Sequence, residues 1–253
     1  VESAKEWLRK KGMKDAGKKA GRIAAEGIVY SQPVAGGAVL LELNCETDFV
    51  AKGDDFKALA AALAKDIELS NAKDSEVSAT AQELVTSGIS KIGEKIDLRR
   101  FVRFQTDGLA FSYIHPGDRI GVLVEVVGAA ADVLTPVAKS LAMHIAWAKP
   151  SFISREDVPA DVIAKEKEIL AAQLKPEQQK MADKILEGKL SKFFEENCLL
   201  HQIDATDGKR TIGDLVKQAG ASVKRFQRYE VGEGIEKAKT NFVEEVQAAA
   251  GLA

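Results

Sequence analysis

The sequence predicts an α+β fold built on a duplicated unit: two related subdomains, each an antiparallel sheet with packed helices, plus an inserted antiparallel helical hairpin of coiled-coil type. Three observations carry this expectation. "YSQPVAGGAVLLELNC" (residues 30–45) aligns without gaps on "YIHPGDRIGVLVEVVG" (residues 113–128), with identities at Tyr30/Tyr113, Pro33/Pro116, Val39/Val122, Leu40/Leu123 and Glu42/Glu125. Each stretch reads as a strand, a Pro/Gly turn and a β-branched strand, and each runs into an alanine-rich helix, "FKALAAALAKDI" or "LTPVAKSLAMHIAWAKP". Beyond Pro150, "DVPADVIAKEKEILAAQL" and "EQQKMADKILEGKLSKFFEENCL" are charged amphipathic helices split by Pro176. Their narrow apolar stripes (Val162, Ile163, Ile169, Leu170, Leu174; Met181, Ile185, Leu186, Leu190, Phe193) are those of a helical hairpin.

The remaining elements follow in order. "VESAKEWLRKKG" reads as a helix with Ala4, Trp7 and Leu8 on one face and Gly12 as its stop. One amphipathic helix cannot cover its own stripe, so its packing partners are expected in a module that this sequence lacks. The hairpin of 30–45 and the helix from Phe56 come next. Matching Leu59/Leu63 to Val137/Leu141 places five extra residues in the connection "NCETDFVAKGDDF". "SEVSATAQELVTSGISKIGEKIDL" is expected to be helical through Val77, Leu84, Val85, Ile89, Ile92 and Ile96, and "RRFVRF" to lead as a strand into the second unit. After the inserted hairpin come a short helix ended by Gly220 ("RTIGDLVKQAG"), a strand ("SVKRFQRYEV") and a terminal helix around "EKAKTNFVEEVQAAA". Narrow stripes do not say what covers them, so the hairpin is expected either to project as an arm or to pack back on the core.

Composition narrows function by exclusion. The chain's 253 residues, 45% hydrophobic and 29% charged, are those of an ordinary globular protein. A net charge of −2 demands no polyanionic partner. Cys45 and Cys198 match no metal or redox spacing, and such sparse usage fits a reducing, cytoplasmic location. No apolar run is long enough for a membrane span.

An enzyme is not expected. Cys45 ends an apolar strand, where a small core residue is the simpler account than a nucleophile. The serines lack a nucleophile elbow, and His144 sits on an apolar helix as a structural histidine would. His115, in the turn "YIHPG", is a candidate because turns often carry function, although a solvated turn histidine is the default reading. Glu46, Asp48, Asp54 and Asp55 lack calcium-loop spacing, and Asp54 or Asp55 suits a helix N-cap. No glycine-rich phosphate loop is present, so neither metal, nucleotide nor other cofactor is expected. An RNA-binding module is the rival. Lys5, Arg9, Lys10, Lys11, Lys14, Lys18, Lys19 and Arg22 form a basic tract, and Arg225 and Arg228 alternate with Phe226 and Tyr229. The slightly acidic whole argues against it. Phe49 is the remaining oddity, an aromatic in an acidic connection that the second repeat lacks. The residues alone leave open whether it anchors a protein contact or tucks under its own loop.

"CETDFVAKGDDF" resembles the TDFVA motif of the elongation factor Ts family, the bacterial and organellar guanine-nucleotide exchange factors for elongation factor Tu. The resemblance continues through "AAEG" (24–27), "KIGEKIDLRR" (91–100), "YIHPGDRIGVLVE" (113–125), "AMHIAWAKP" (142–150), "GKLSKFFEENCLL" (188–200) and "RFQRYEVGEGIEK" (225–237). It implies a remnant of an N-terminal UBA-like module with its linker at 1–20 and a first core subdomain at 21–105. A second subdomain at 106–228 then holds the hairpin at about 154–196, and a C-terminal helical module occupies 229–253. It also implies that Asp48 and Phe49 intrude between two helices of the partner's GTPase domain, with Thr47 and Val50 completing the motif and Ile92 and His115 supporting the same surface. Elongation factor Tu is then the protein partner, no membrane or direct nucleic-acid contact is expected, and the hairpin is a means for a homodimer or 2:2 complex.

Overall fold

The computed structural model describes residues 12–14, 16–70, 74, 76–174 and 181–236. The helices expected at 1–12 and around 236–250 therefore fall almost wholly outside the described residues. Gly12 itself is helical, as are 13–14 and 16–19, so it does not act as a stop. The described chain forms a mixed α+β structure with two three-stranded antiparallel sheets. It divides into two compact units: residues up to Tyr30 with Leu41–Phe101 and from Tyr229 on, and Ser31–Leu40 with Val102–Arg228.

The first sheet begins as the expected hairpin, β1 (Glu26–Val34) and β2 (Gly37–Cys45), and β3 (Asp97–Gln105) joins on the far side of β2 in the order β1-β2-β3. As the central strand, β2 is buried at every position after Gly37, which is why it reads as a near-continuous apolar run instead of an alternating one. Between β2 and β3 lie α1 (Asp48–Lys52), α2 (Asp54–Ser70) and α3 (Ala79–Ile92). The buried stripe of α2, Phe56, Leu59, Ala60, Leu63, Ala64 and Ile67, has helical spacing. A Cβ at Gly88 of α3 would stand 2.6 Å from the Leu59 Cδ2, so the missing side chain permits the close approach of α3 to α2.

The third helix is shorter than its apolar pattern suggests. Ser78 caps it by accepting from the Ala81 N–H, and Gly93, at φ 89°, closes it by a bond to the Ile89 carbonyl. Val77 is therefore exposed before the helix, and Ile96 is buried beyond it. The connection before α2 also differs from a loop: Asp48–Lys52 is a one-turn helix. Asp54 and Asp55 lie in the first turn of α2 instead of capping it. Asp55 pairs with Lys91 at 2.8 Å, tying the start of α2 to the end of α3.

The second sheet repeats this plan. β4 (Leu109–Ile114) and β5 (Ile120–Val127) pair antiparallel from Leu109↔Val126 to Ile114↔Gly121, and β6 (Ser222–Glu230) joins on the far side of β5. Val122, Val124 and Val126 face Leu134, Val137, Leu141 and Ile145 of α4 (Ala131–Ala148), with α7 (Ile212–Gln218) closing the cluster through Ile212, Leu215 and Val216. Each such side chain contributes roughly 1.5–3 kcal/mol by leaving water.

The hairpin of α5 (Ala160–Ala172) and α6 (Ala182–Asn197) has its own small core of Val158, Leu190, Phe194 and Cys198 at its base. The buried ring there is Phe194; Phe193, expected on the stripe, is half-buried and packs edge-on against it at 5.6 Å. Ile169 and Met181, towards the far end, are exposed, so burial falls away from the base as it does in an arm.

Candidate partner-binding site

Phe49 stands out of its unit, 83% exposed, so it does not tuck under its own loop. The residues around it explain how an apolar ring is held there. Thr47, extended at φ −124° and ψ 153°, is the N-cap of α1, and its hydroxyl accepts from the Val50 N–H at 3.4 Å. The Thr47 carbonyl accepts from the Ala51 N–H at 3.3 Å and from the Cys45 thiol at 3.2 Å. Its own N–H and hydroxyl go to Glu94, at 3.0 and 2.6 Å. Every polar group of Thr47 is thus engaged. Val50 is half-buried and Ala51 is buried, which pins the inner face of the turn and leaves the Phe49 face outward. Asp48 pairs with Lys52 one turn on, at 2.6 Å, and this hydrogen bond holds the Asp48 carboxyl below its ordinary range. Both side chains are open to water, so the pair adds little stability.

Ile92, the last residue of α3, is half-buried just ahead of Gly93 and Glu94. His115 is exposed in the β4–β5 turn, where its N–H bonds the Ile120 carbonyl and its Nδ1 meets the Tyr113 hydroxyl at 3.0 Å. Phe49 and Ile92 belong to one compact unit and His115 to the other.

The rejected catalytic candidates are accounted for inside the protein. Cys45 is buried, and burial, aided by the Glu94 carboxylate, pushes its thiol up to about 12. A thiol held protonated in this way is no nucleophile at neutral pH. His144 is buried between the Gln202 side chain, 2.8 Å from Nε2, and the Ala205 N–H, 3.3 Å from Nδ1.

A family model described as "Elongation factor TS" matches residues 46–233, the span that contains the Phe49 turn, Ile92 and His115. The chain is 48% identical to elongation factor Ts of Clostridium botulinum (strain Eklund 17B / Type B), over 97% of this chain and 88% of the relative. It is 46% identical to elongation factor Ts of Methylococcus capsulatus, over 98% and 87% of the two chains. Against that of Trichlorobacter lovleyi it is 42% identical, over 100% and 89%. The chain belongs to the elongation factor Ts family. Its place is among the elongation factors of protein biosynthesis, and no helix among the described residues is long and apolar enough to cross a membrane.

Within this elongation factor Ts chain, the repeat extends further than the hairpins alone suggested. The third strands match as "RFVRF" (residues 100–104) in β3 and "RFQRY" (residues 225–229) in β6. Arg100 bonds the buried Glu42 at 2.6 Å, and Arg225 bonds Glu125 at 2.6 Å, so the shared glutamates have shared partners. The sequence signal was present in these two five-residue strings, but only the strand order puts each arginine beside its glutamate.

The same pairs bear on the RNA reading. Arg225 also lies 4.1 Å over the Phe104 ring, Arg228 donates to the Ala146 carbonyl, and Phe226 packs on the second core. Tyr229 is buried under Arg100, with its hydroxyl pushed up to about 12 by that burial. The groups that would stack on bases are committed internally. Of the basic tract, Lys5, Arg9, Lys10 and Lys11 lie outside the described residues, and Arg22 pairs with Glu46 at 3.2 Å. One exposed aromatic escaped sequence reading altogether: Trp147, 74% exposed, on the outward side of α4 with Met143.

Proposed function

We propose that this chain is a guanine-nucleotide exchange factor that binds elongation factor Tu·GDP and speeds GDP release, with Phe49 as the residue driven into the GTPase domain. The observation that carries this is the 83% exposure of Phe49 on a turn whose every other attachment is satisfied. An apolar ring in water is worth roughly 1.5–3 kcal/mol once buried in a partner's pocket. An exchange factor needs no nucleotide site and no chemistry of its own. It binds the nucleotide-free partner more tightly than the nucleotide-bound one, and linkage obliges it to weaken nucleotide binding by the same factor. Wedging Phe49 between two partner helices displaces the groups that hold Mg²⁺ and cradle the phosphates, so the binding energy appears as faster GDP loss.

In this reading Thr47 and Val50 complete the wedge, Asp48 contributes its charge beside Phe49, and Ile92 and His115 support the contact. The domain layout in this reading is the N-terminal segment to about residue 20, the core subdomains 21–105 and 106–228 and the module 229–253. The hairpin at about 154–196 serves as a further contact, to the partner or to a second copy. The test is release of a fluorescent GDP from elongation factor Tu in stopped flow. Phe49→Ala should keep its far-UV circular dichroism and lower the stimulated rate at sub-saturating factor roughly 10- to 100-fold, the equivalent of the lost ring burial. An unchanged rate sinks the wedge.

A further inference from the structure

Glu94 lies in the connection between α3 and β3, inside the "KIGEKIDLRR" stretch. The left-handed Gly93 ends α3 and turns the chain, after which the Glu94 carboxylate meets the β2–α1 connection. Oε2 accepts the N–H groups of both Glu46 and Thr47 at 3.0 Å, and Oε1 accepts the Thr47 hydroxyl at 2.6 Å. The bond is returned, because Oε1 of Glu46 accepts the Lys95 N–H at 2.6 Å. Two connections 48 residues apart are thus cross-braced by a pair of carboxylates, each accepting a backbone N–H of the other connection. Two consecutive amides and a hydroxyl converging on one carboxylate make a charge-assisted cluster, which is stronger than the same bonds between neutral groups.

We propose that Glu94 is the positioning residue for Phe49: it fixes Thr47 as the N-cap of α1 and so presents the ring already ordered. This rests on the reading of Phe49 as the wedge. A five-residue helix cannot stand by propensity alone, because helix nucleation is unfavourable and α1 is a single turn. Without its brace the turn samples other conformations, and the partner then binds only the fraction that is competent, which weakens the apparent affinity by that fraction. Glu94 touches the partner in no step of this account. It acts through Thr47.

Glu94→Ala tests the proposal in two arms. In the free chain, amide hydrogen exchange at Glu46 and Thr47 should accelerate about 10- to 100-fold, while β2 and α2 keep their protection. In GDP release from elongation factor Tu, the half-saturating concentration should rise about 5- to 20-fold with the plateau rate little changed. Phe49→Ala/Glu94→Ala should be no slower than Phe49→Ala alone, because a brace with no ring to present has no further effect. Unchanged exchange at residues 46–47 overturns the proposal, and so does a double variant that loses the product of the two single effects. Should Glu94→Ala lose the fold, Glu94→Gln, which keeps one acceptor oxygen, carries the same comparisons. If Phe49→Ala by itself leaves GDP release untouched, the wedge reading fails, and the hydrogen-exchange arm still decides whether Glu94 holds the turn.

Discussion

Phe49 and Cys45, four residues apart, meet opposite environments for one reason. β2 is a central strand, so its last residue faces the core, whereas α1 starts immediately afterwards and turns its next apolar side chain outward. For Phe49 the consequence is exposure without a share in stability: Phe49→Ala should leave the unfolding free energy from urea denaturation within about 0.5 kcal/mol of the parent, the range for surface substitutions. For Cys45 the consequence is chemical silence. Its folded pKa, about 12, lies above the ordinary 9.0. The folded state therefore keeps a proton that the unfolded state releases, and the stability this represents is intact below pH 9 and is lost as pH rises from 9 towards 12. Alkylation by iodoacetamide at pH 9 should be at least roughly a hundredfold slower at Cys45 in the native chain than in urea. Rapid labelling of the native chain would contradict that placement.

The paired elements of the repeat carry their energetics in Glu42 and Glu125. Glu42 is fully buried and takes bonds from Arg99 at 3.0 Å, from Arg100 at 2.6 Å and from the Gly232 N–H at 2.8 Å. Its carboxylate holds β2 to β3 and to the turn that follows β6. That turn needs Gly232, at φ 74°, because a Cβ there would lie 2.4 Å from the Ala25 carbonyl oxygen. Glu42→Ala removes the buried partner of Arg99 and Arg100, which keep bonds to the Glu233 and Glu230 carbonyls and to the Glu233 carboxylate, and should cost about 3 kcal/mol in urea denaturation, the lower end for breaking a buried ion pair. Glu125 pairs, among the described residues, with Arg225, whose side chain is 45% exposed, so Glu125→Ala should cost less, about 1–2 kcal/mol. Equal losses would contradict this ranking by burial and partner number. The one-turn α1 adds a smaller local effect: Thr47→Ala should cost about 1 kcal/mol as a lost N-cap.

At the scale of the whole molecule, charge and its placement set what the chain can bind. The net charge is −2, and the arginines of β6 are engaged with Glu125, with the Gln105 and Ala146 carbonyls and with an aromatic face. Binding to a generic single-stranded RNA should therefore be absent even at about 50 mM salt, where phosphate contacts are strong. Salt-sensitive binding that Arg225→Ala abolishes would reopen the RNA reading.

Most of the elements were legible in the sequence, because strand and helix periodicities and glycine and proline stops are local. The hairpin-plus-helix repeat, the Pro150 stop, the charged helical pair and the family motif all lie in continuous strings. The errors were also local: Val77 and Ile96 continue the apolar pattern of α3 past its caps, and Phe193 and Phe194 are adjacent candidates for one buried place. What the string could not contain is partnership across distance. That Glu42 finds Arg100, that Glu125 finds Arg225 and that Glu94 braces Thr47 depends on strand order and on where two connections meet. The sequence by itself determined the elements, the repeat and the family. Only the tertiary structure decided that Phe49 is exposed, because exposure follows from which neighbours a turn's inner face finds to bury and bond, and those neighbours come from distant parts of the chain.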